Sequence, residues 1–142
     1  MATPDELREA LAAGRAAMRA ALDAASPAKW VLAPASGEGE EAWPARKAAE
    51  HAIGAEAFFT TAICTACGYP GVEAERPSYG TPAEAIAGLD AMIELTNKKL
   101  KYVTREDLEK KHERMGTTES ILQLAASHLE DHAVQIRSAA GG

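Results

Sequence analysis

Residues 117–136 read TTESILQLAASHLEDHAVQI, with apolar residues and two histidines at regular spacing. Ile121, Ala125, His128, His132 and Ile136 recur at three- and four-residue intervals, with Leu124 and Leu129 alongside. That is the period of an α-helix with one face turned inward. Thr117 or Thr118 offers the N-terminal cap, and the pattern predicts a helix running to about Ala140. Three more segments carry the same period. None alternates as a strand would, so no sheet is expected.

The first segment runs from about Pro4 to Asp23, with Thr3 as cap, Pro4 at the first position, and Glu6 completing a capping box. Its apolar stripe is Leu7, Leu11, Met18 and Leu22. The second opens near Trp43-Pro44 and closes at Gly68, with Pro70 just beyond. One stripe on it is His51, Ala55, Phe58, Ala62 and Ala66, flanked by Phe59 and Ile63. The third has Thr81 as cap, then Pro82 and Glu84, and a stripe of Ile86, Leu89, Ile93, Asn97 and Leu100. Between the first two helices lies a Pro-, Gly- and Glu-rich loop, in which Trp30, Val31 and Leu32 are expected to tuck against the bundle and residues 36–41 to be mobile. Residues 69–80 show no period, and residues 104–114 read as a short solvated helix or turn. Four amphipathic helices bury their stripes most simply as an all-α, antiparallel four-helix bundle, a single domain over residues 1–142.

Composition narrows the function. The chain has 142 residues, 46% of them hydrophobic and 25% charged, which is ordinary for a globular protein. Its net charge of −6 and the lack of a dense Lys/Arg cluster argue against nucleic acid as a partner. No apolar run is long enough to span a membrane, and the acidic start shows no signal peptide, so the expected compartment is the cytoplasm. Cys64 and Cys67 cannot make a disulfide scaffold. As a C-x-x-C pair at the end of a helix they lack the N-terminal dipole that activates redox pairs, and they read as structural.

Three of the four histidines fall on inward stripes. His128 and His132 are four residues apart, so they project from one helix face about a turn from each other, and His51 lies on the stripe of another helix. Such spacing lets imidazoles on facing helices reach one metal ion, and three protein ligands leave an open position for water or substrate. The competing reading is three core histidines, each satisfied by a hydrogen bond. His112, within Glu109-Lys110-Lys111-His112-Glu113-Arg114, reads as solvated. Glu130 and Asp131 point away from the ligand face, Glu50 and Glu56 read as surface residues, and Asn97 is a candidate pocket residue.

The order of Trp43, His51 within Ala-Glu-His-Ala-Ile-Gly-Ala-Glu, a middle helix, Gly116-Thr117-Thr118, and then His128-Leu129-Glu130-Asp131-His132 with Gln135-Ile136 resembles the DinB/YfiT superfamily of bacterial four-helix proteins. The resemblance covers about Trp43 to Arg137 and, more loosely, the first helix. It implies a metal centre at His51, His128 and His132 holding a divalent transition ion, zinc or nickel. It further implies a small-molecule substrate and, as in characterised relatives, a low-molecular-weight thiol as co-substrate for S-transfer. Hydrolysis of a small molecule is the related expectation. The alternative is a non-catalytic, metal-stapled bundle serving as a binding or stress-response module. Pairing of the bundle into a homodimer through an alanine-rich face is also expected.

Overall fold

Thr3 begins the first helix as the capping box predicts. Its side chain accepts the Glu6 N–H at 3.1 Å, while the Glu6 carboxylate accepts the Thr3 N–H at 3.1 Å. The computed structural model describes residues 2–141 and contains four long helices: α1 (Pro4–Asp23), α2 (Ala45–Cys67), α3 (Pro82–Leu100) and α4 (Thr118–Ala140). Gly68 ends α2 in the left-handed conformation at φ 83°, the backbone state a C-terminal glycine permits. Thr81 and Thr117 cap α3 and α4 by accepting the N–H of Glu84 and Ser120. Short 3₁₀ turns occupy Pro27–Lys29, Gly39–Ala42 and Glu106–Glu109. A two-residue antiparallel ladder, β1 (Lys111–His112) with β2 (Gly116–Thr117), closes the turn into α4.

The all-α four-helix bundle read from the sequence is the fold, but it is not antiparallel throughout: two of its four neighbouring pairs run parallel. Each helix packs on two others: α1 lies between α3 and α4, and so does α2. The direction of each pair follows from its contacts. Arg8 reaches the Leu100 carbonyl and Arg15 reaches Thr96, so α1 and α3 are antiparallel. His51 meets His128 near the start of α2 while Cys67, at its end, meets Thr118, so α2 and α4 are antiparallel as well. The pair α1 and α4 runs parallel, with the Ser26 N–H donating to the Ala140 carbonyl where both helices end. The pair α2 and α3 is also parallel. The reason is the connection between them, which travels back along α2: Thr61 Oγ1 accepts the Val72 N–H, Pro77 packs over Gly54, and Glu50 accepts the Tyr79 N–H at 2.7 Å.

The core joins the apolar faces of all four helices and is closed at one end by Trp30, which is fully buried and donates its indole N–H to the Tyr79 carbonyl at 2.9 Å. Val31 and Leu32 do not tuck in with it; they are exposed, because Pro27–Lys29 turns the chain so that Trp30 alone points inward. Small residues carry the close approaches. A Cβ at Gly14 would stand 2.7 Å from the Ala126 carbonyl oxygen, so α1 and α4 touch backbone to backbone there.

Three readings of buried faces are corrected. On α2 the buried face includes Ala45, Ala48, Ala49, Ala52, Ile53, Phe59, Ala62 and Ile63; of the stripe read through His51, Ala62 is buried while His51 and Phe58 lie along the edge. The alanine-rich sequence gives nearly the same apolar signal on several faces, which hides the true one. Residues 104–114 are not wholly solvated, since Leu108 and Asp107 are both buried. Glu56 is not a surface residue: it is 3% exposed and paired with Arg15 at 2.6 Å.

Candidate metal centre

α2 delivers His51 from its second turn, and α4 delivers His128 and His132 one turn apart. Antiparallel packing of these two helices brings the three rings together near one end of the bundle. His128 Nε2 lies 3.2 Å from His51 Nε2 and 3.1 Å from His132 Nε2. One ligand atom from each residue falls within 4.8 Å of the others. The rings are mutually edge-on, with centroids 4.4 to 5.0 Å apart. Burial grades across the cluster, with His132 buried, His128 half-buried and His51 exposed, so it opens toward solvent on the α2 side.

Aromatic rings wall the cluster. Trp43, the residue just before Pro44, stands edge-on to His51 at 5.2 Å and parallel to His132 at 6.4 Å. The Lys47 ammonium sits 4.6 Å from the centre of the Trp43 ring. Phe59 stands edge-on to His128 at 5.4 Å.

One polar side chain supports the rings from behind. Gln135 Oε1 lies 2.6 Å from His132 Nδ1, while the amide of the same side chain donates to the Glu40 carbonyl. Because that amide is committed as the donor, its oxygen is the acceptor, and His132 Nδ1 carries the proton. His132 Nε2 is therefore a bare lone pair aimed at the other rings.

The donor set fits a shared cation. His128 Nε2 faces two ring nitrogens and carries either one proton or one lone pair, so it can make an ordinary hydrogen bond with only one of them. His128 Nδ1 is buried without a partner, leaving Nε2 as the atom through which this ring meets a ligand. Separations of 3.1 and 3.2 Å approach the edge of about 3.3 Å expected for nitrogens tetrahedrally placed about 2.0–2.1 Å from zinc. His51 and His128 are also biased toward the neutral form. Burial and the neighbouring His132 and His51 push the His128 pKa down to about 4, with Glu40 and Asp131 opposing. Burial and His132 likewise lower that of His51, against the pull of Glu40. Neutral imidazole is the ligating form.

The structure brings together all three predicted histidines. The other candidates lie elsewhere. His112 Nδ1 accepts the Arg114 and Met115 N–H groups in the β1–β2 turn. Asn97 does not line this site; it is exposed, and its Oδ1 accepts from Arg15 Nη1 at 2.9 Å at the rim of a buried network of Arg15, Glu56 and Thr96. Glu50 is taken up by Arg46 and the Tyr79 N–H. Glu130 and Asp131 are exposed. Cys64 and Cys67 sit at the far end of α2, and burial, their largest influence, raises the pKa of both thiols. Gln135 and Phe59 are the residues whose part in the site the sequence reading missed. The signal for Gln135 was its place three positions after His132, on the same helix face.

Fold and cluster define a class: an all-helical bundle with three convergent imidazoles that could bind a metal ion. The family model of the DinB superfamily matches residues 3–136, and the chain belongs to that superfamily. Comparison with curated proteins and with solved structures finds no match. No helix among the described residues is long and apolar enough to cross a membrane.

Proposed function

We propose that the protein is a metal-dependent enzyme whose His51, His128 and His132 hold one divalent transition ion, zinc or nickel, and that it acts on a small molecule. The carrying observation is the convergence of three ring nitrogens on a solvent-facing edge of the bundle. An ion held by three neutral ligands keeps its full charge, and it would lower the pKa of a small thiol or of water enough to supply a nucleophile near neutral pH. Thiol S-transfer is the first reading and hydrolysis the second. The imidazole set suits both metals, and no protein thiolate is near enough to compete.

The residues around the ion have separable tasks. Gln135 keeps His132 in the tautomer that ligates. Trp43 covers the cluster where the chain enters α2 and limits access from that side. The accessible edge is the one between His51 and His128, which also line a cleft of about 390 Å³. A larger hollow of about 970 Å³, between residues 32–37 and the outer face of α4, lies off the histidines and is not assigned to the reaction.

The test is cobalt substitution. Cobalt-loaded protein should show visible bands of a tetrahedral site, and adding 2-mercaptoethanol should produce a new near-ultraviolet band from sulfur bound to cobalt. A cobalt spectrum indifferent to added thiol and to other anions would mean a closed, structural ion, and would remove the enzymatic reading.

A further inference from the structure

The cleft beside the histidines offers almost nothing to hydrogen-bond. Its walls are Gly54, Ala55, Phe58 and Phe59, and His51 and His128 belong to both the cleft and the cluster. The one carboxylate on its rim, Glu50, is already engaged, accepting from Arg46 Nε at 3.0 Å and from the Tyr79 N–H at 2.7 Å. Phe58 is 63% exposed, so its ring is available to a molecule entering the cleft. Its ring lies 5.8 Å from that of Phe59, which in turn stands 5.4 Å from His128. An unbroken aromatic surface therefore leads from the cluster outward. A hydroxyl-rich molecule laid on it would lose hydrogen bonds to water and gain none from the protein, whereas an aromatic or branched alkyl group would gain contact area.

We infer that the substrate carries an apolar group close to the atom that reaches the histidines, and that this group lies on Ala55 and Phe58. The inference rests on the metal centre proposed above. It assigns the class of the substrate, an apolar body with an anionic, metal-seeking head, and makes Phe58 a residue that sets specificity.

Two probes that share a head and differ in body test it on the full chain. Zinc stoichiometry is measured first, and then the affinities of acetohydroxamate and benzohydroxamate for the zinc-loaded protein by titration calorimetry. Benzohydroxamate should bind about tenfold more tightly, and Phe58→Ala should bring the ratio to about threefold or less while leaving acetohydroxamate unchanged. Because Phe58 is largely exposed, the variant should keep its zinc, which serves as the check on folding. Equal affinity for the two probes, with one zinc bound, would overturn this inference and leave the metal centre standing. Failure of the wild-type chain to bind zinc would overturn the metal reading and this inference with it. If Phe58→Ala preserved the ratio but turned a dimer into a monomer in sedimentation velocity, the face would be a subunit contact and the inference would be overturned.

Discussion

At the scale of single residues, the centre depends on which ring nitrogen holds the proton. Gln135 fixes this for His132 and is itself held by the Glu40 carbonyl, so it joins the Gly39–Ala42 turn to the site. Gln135→Leu should weaken metal binding by about 10- to 100-fold in a chelator competition. Gln135→Glu still accepts from His132 Nδ1 but no longer donates to Glu40, so it should recover most of that affinity. Equal affinity in all three proteins would show that Gln135 does not orient the ligand. The buried pair Arg15–Glu56 makes a second prediction. Glu56→Ala leaves a buried guanidinium without its carboxylate and should cost about 3–5 kcal/mol in urea unfolding, whereas a surface glutamate would cost almost nothing. His128 and His132 were legible in the sequence because a four-residue spacing puts them on one helix face. His51, read onto an inward stripe that proves to be the edge of α2, joined them through the family resemblance. Glu56 was not legible, since Arg15, Thr96 and Asn97 come from two other helices and carry no signal at short range.

Among elements, caps and close approaches set the bundle's tolerance to change. The start of α1, the end of α2 and the caps of α3 and α4 were readable because capping is chemistry between residues a few positions apart. The buried face of α2 was not, because alanine contributes equally to any face, and only packing against α3 and α4 chooses one. Gly14→Ala illustrates the competition. Alanine is favoured in a helix by up to about 1 kcal/mol, yet its Cβ would meet the Ala126 carbonyl, so the net effect should be a loss of about 1–3 kcal/mol in thermal or urea unfolding. A gain in stability would mean that α1 and α4 separate more easily than their contact implies. The Glu106–Glu109 turn carries a pH dependence. Burial alone would raise the Asp107 pKa, but the Lys110 ammonium and the N–H and hydroxyl of Thr104 outweigh it and hold the pKa below the usual carboxylate value. The native state thus releases this proton more readily than the unfolded chain does. The stabilisation is complete above the unfolded value of about 3.9 and is lost as pH falls through the lower native one. Asp107→Asn should reduce stability at pH 7 and flatten its decline below pH 4, and an unchanged acid limb in the variant would contradict this.

For the whole molecule, the apolar core closes without any ion, so removing metal should leave the helical circular-dichroism spectrum intact while lowering the melting temperature. Affinity should also weaken in acid, since protonated imidazole cannot ligate. It should do so only well below the usual imidazole value, because burial and neighbouring rings lower the pKa of His51 and bring that of His128 to about 4. The bundle itself was legible from four periodic segments. Its parallel pairs were not, because they depend on the path of residues 69–80 back along α2, and nothing periodic marks that path. We propose that three histidines from two helices act as one metal site. The most direct test is metal content after dialysis against zinc, using protein without a histidine tag. The wild-type chain and His112→Ala should each retain one ion, and His51→Ala should bind it markedly more weakly. The double variant His128→Ala, His132→Ala should retain none. One zinc persisting per chain in that double variant would place the ion elsewhere and contradict the account.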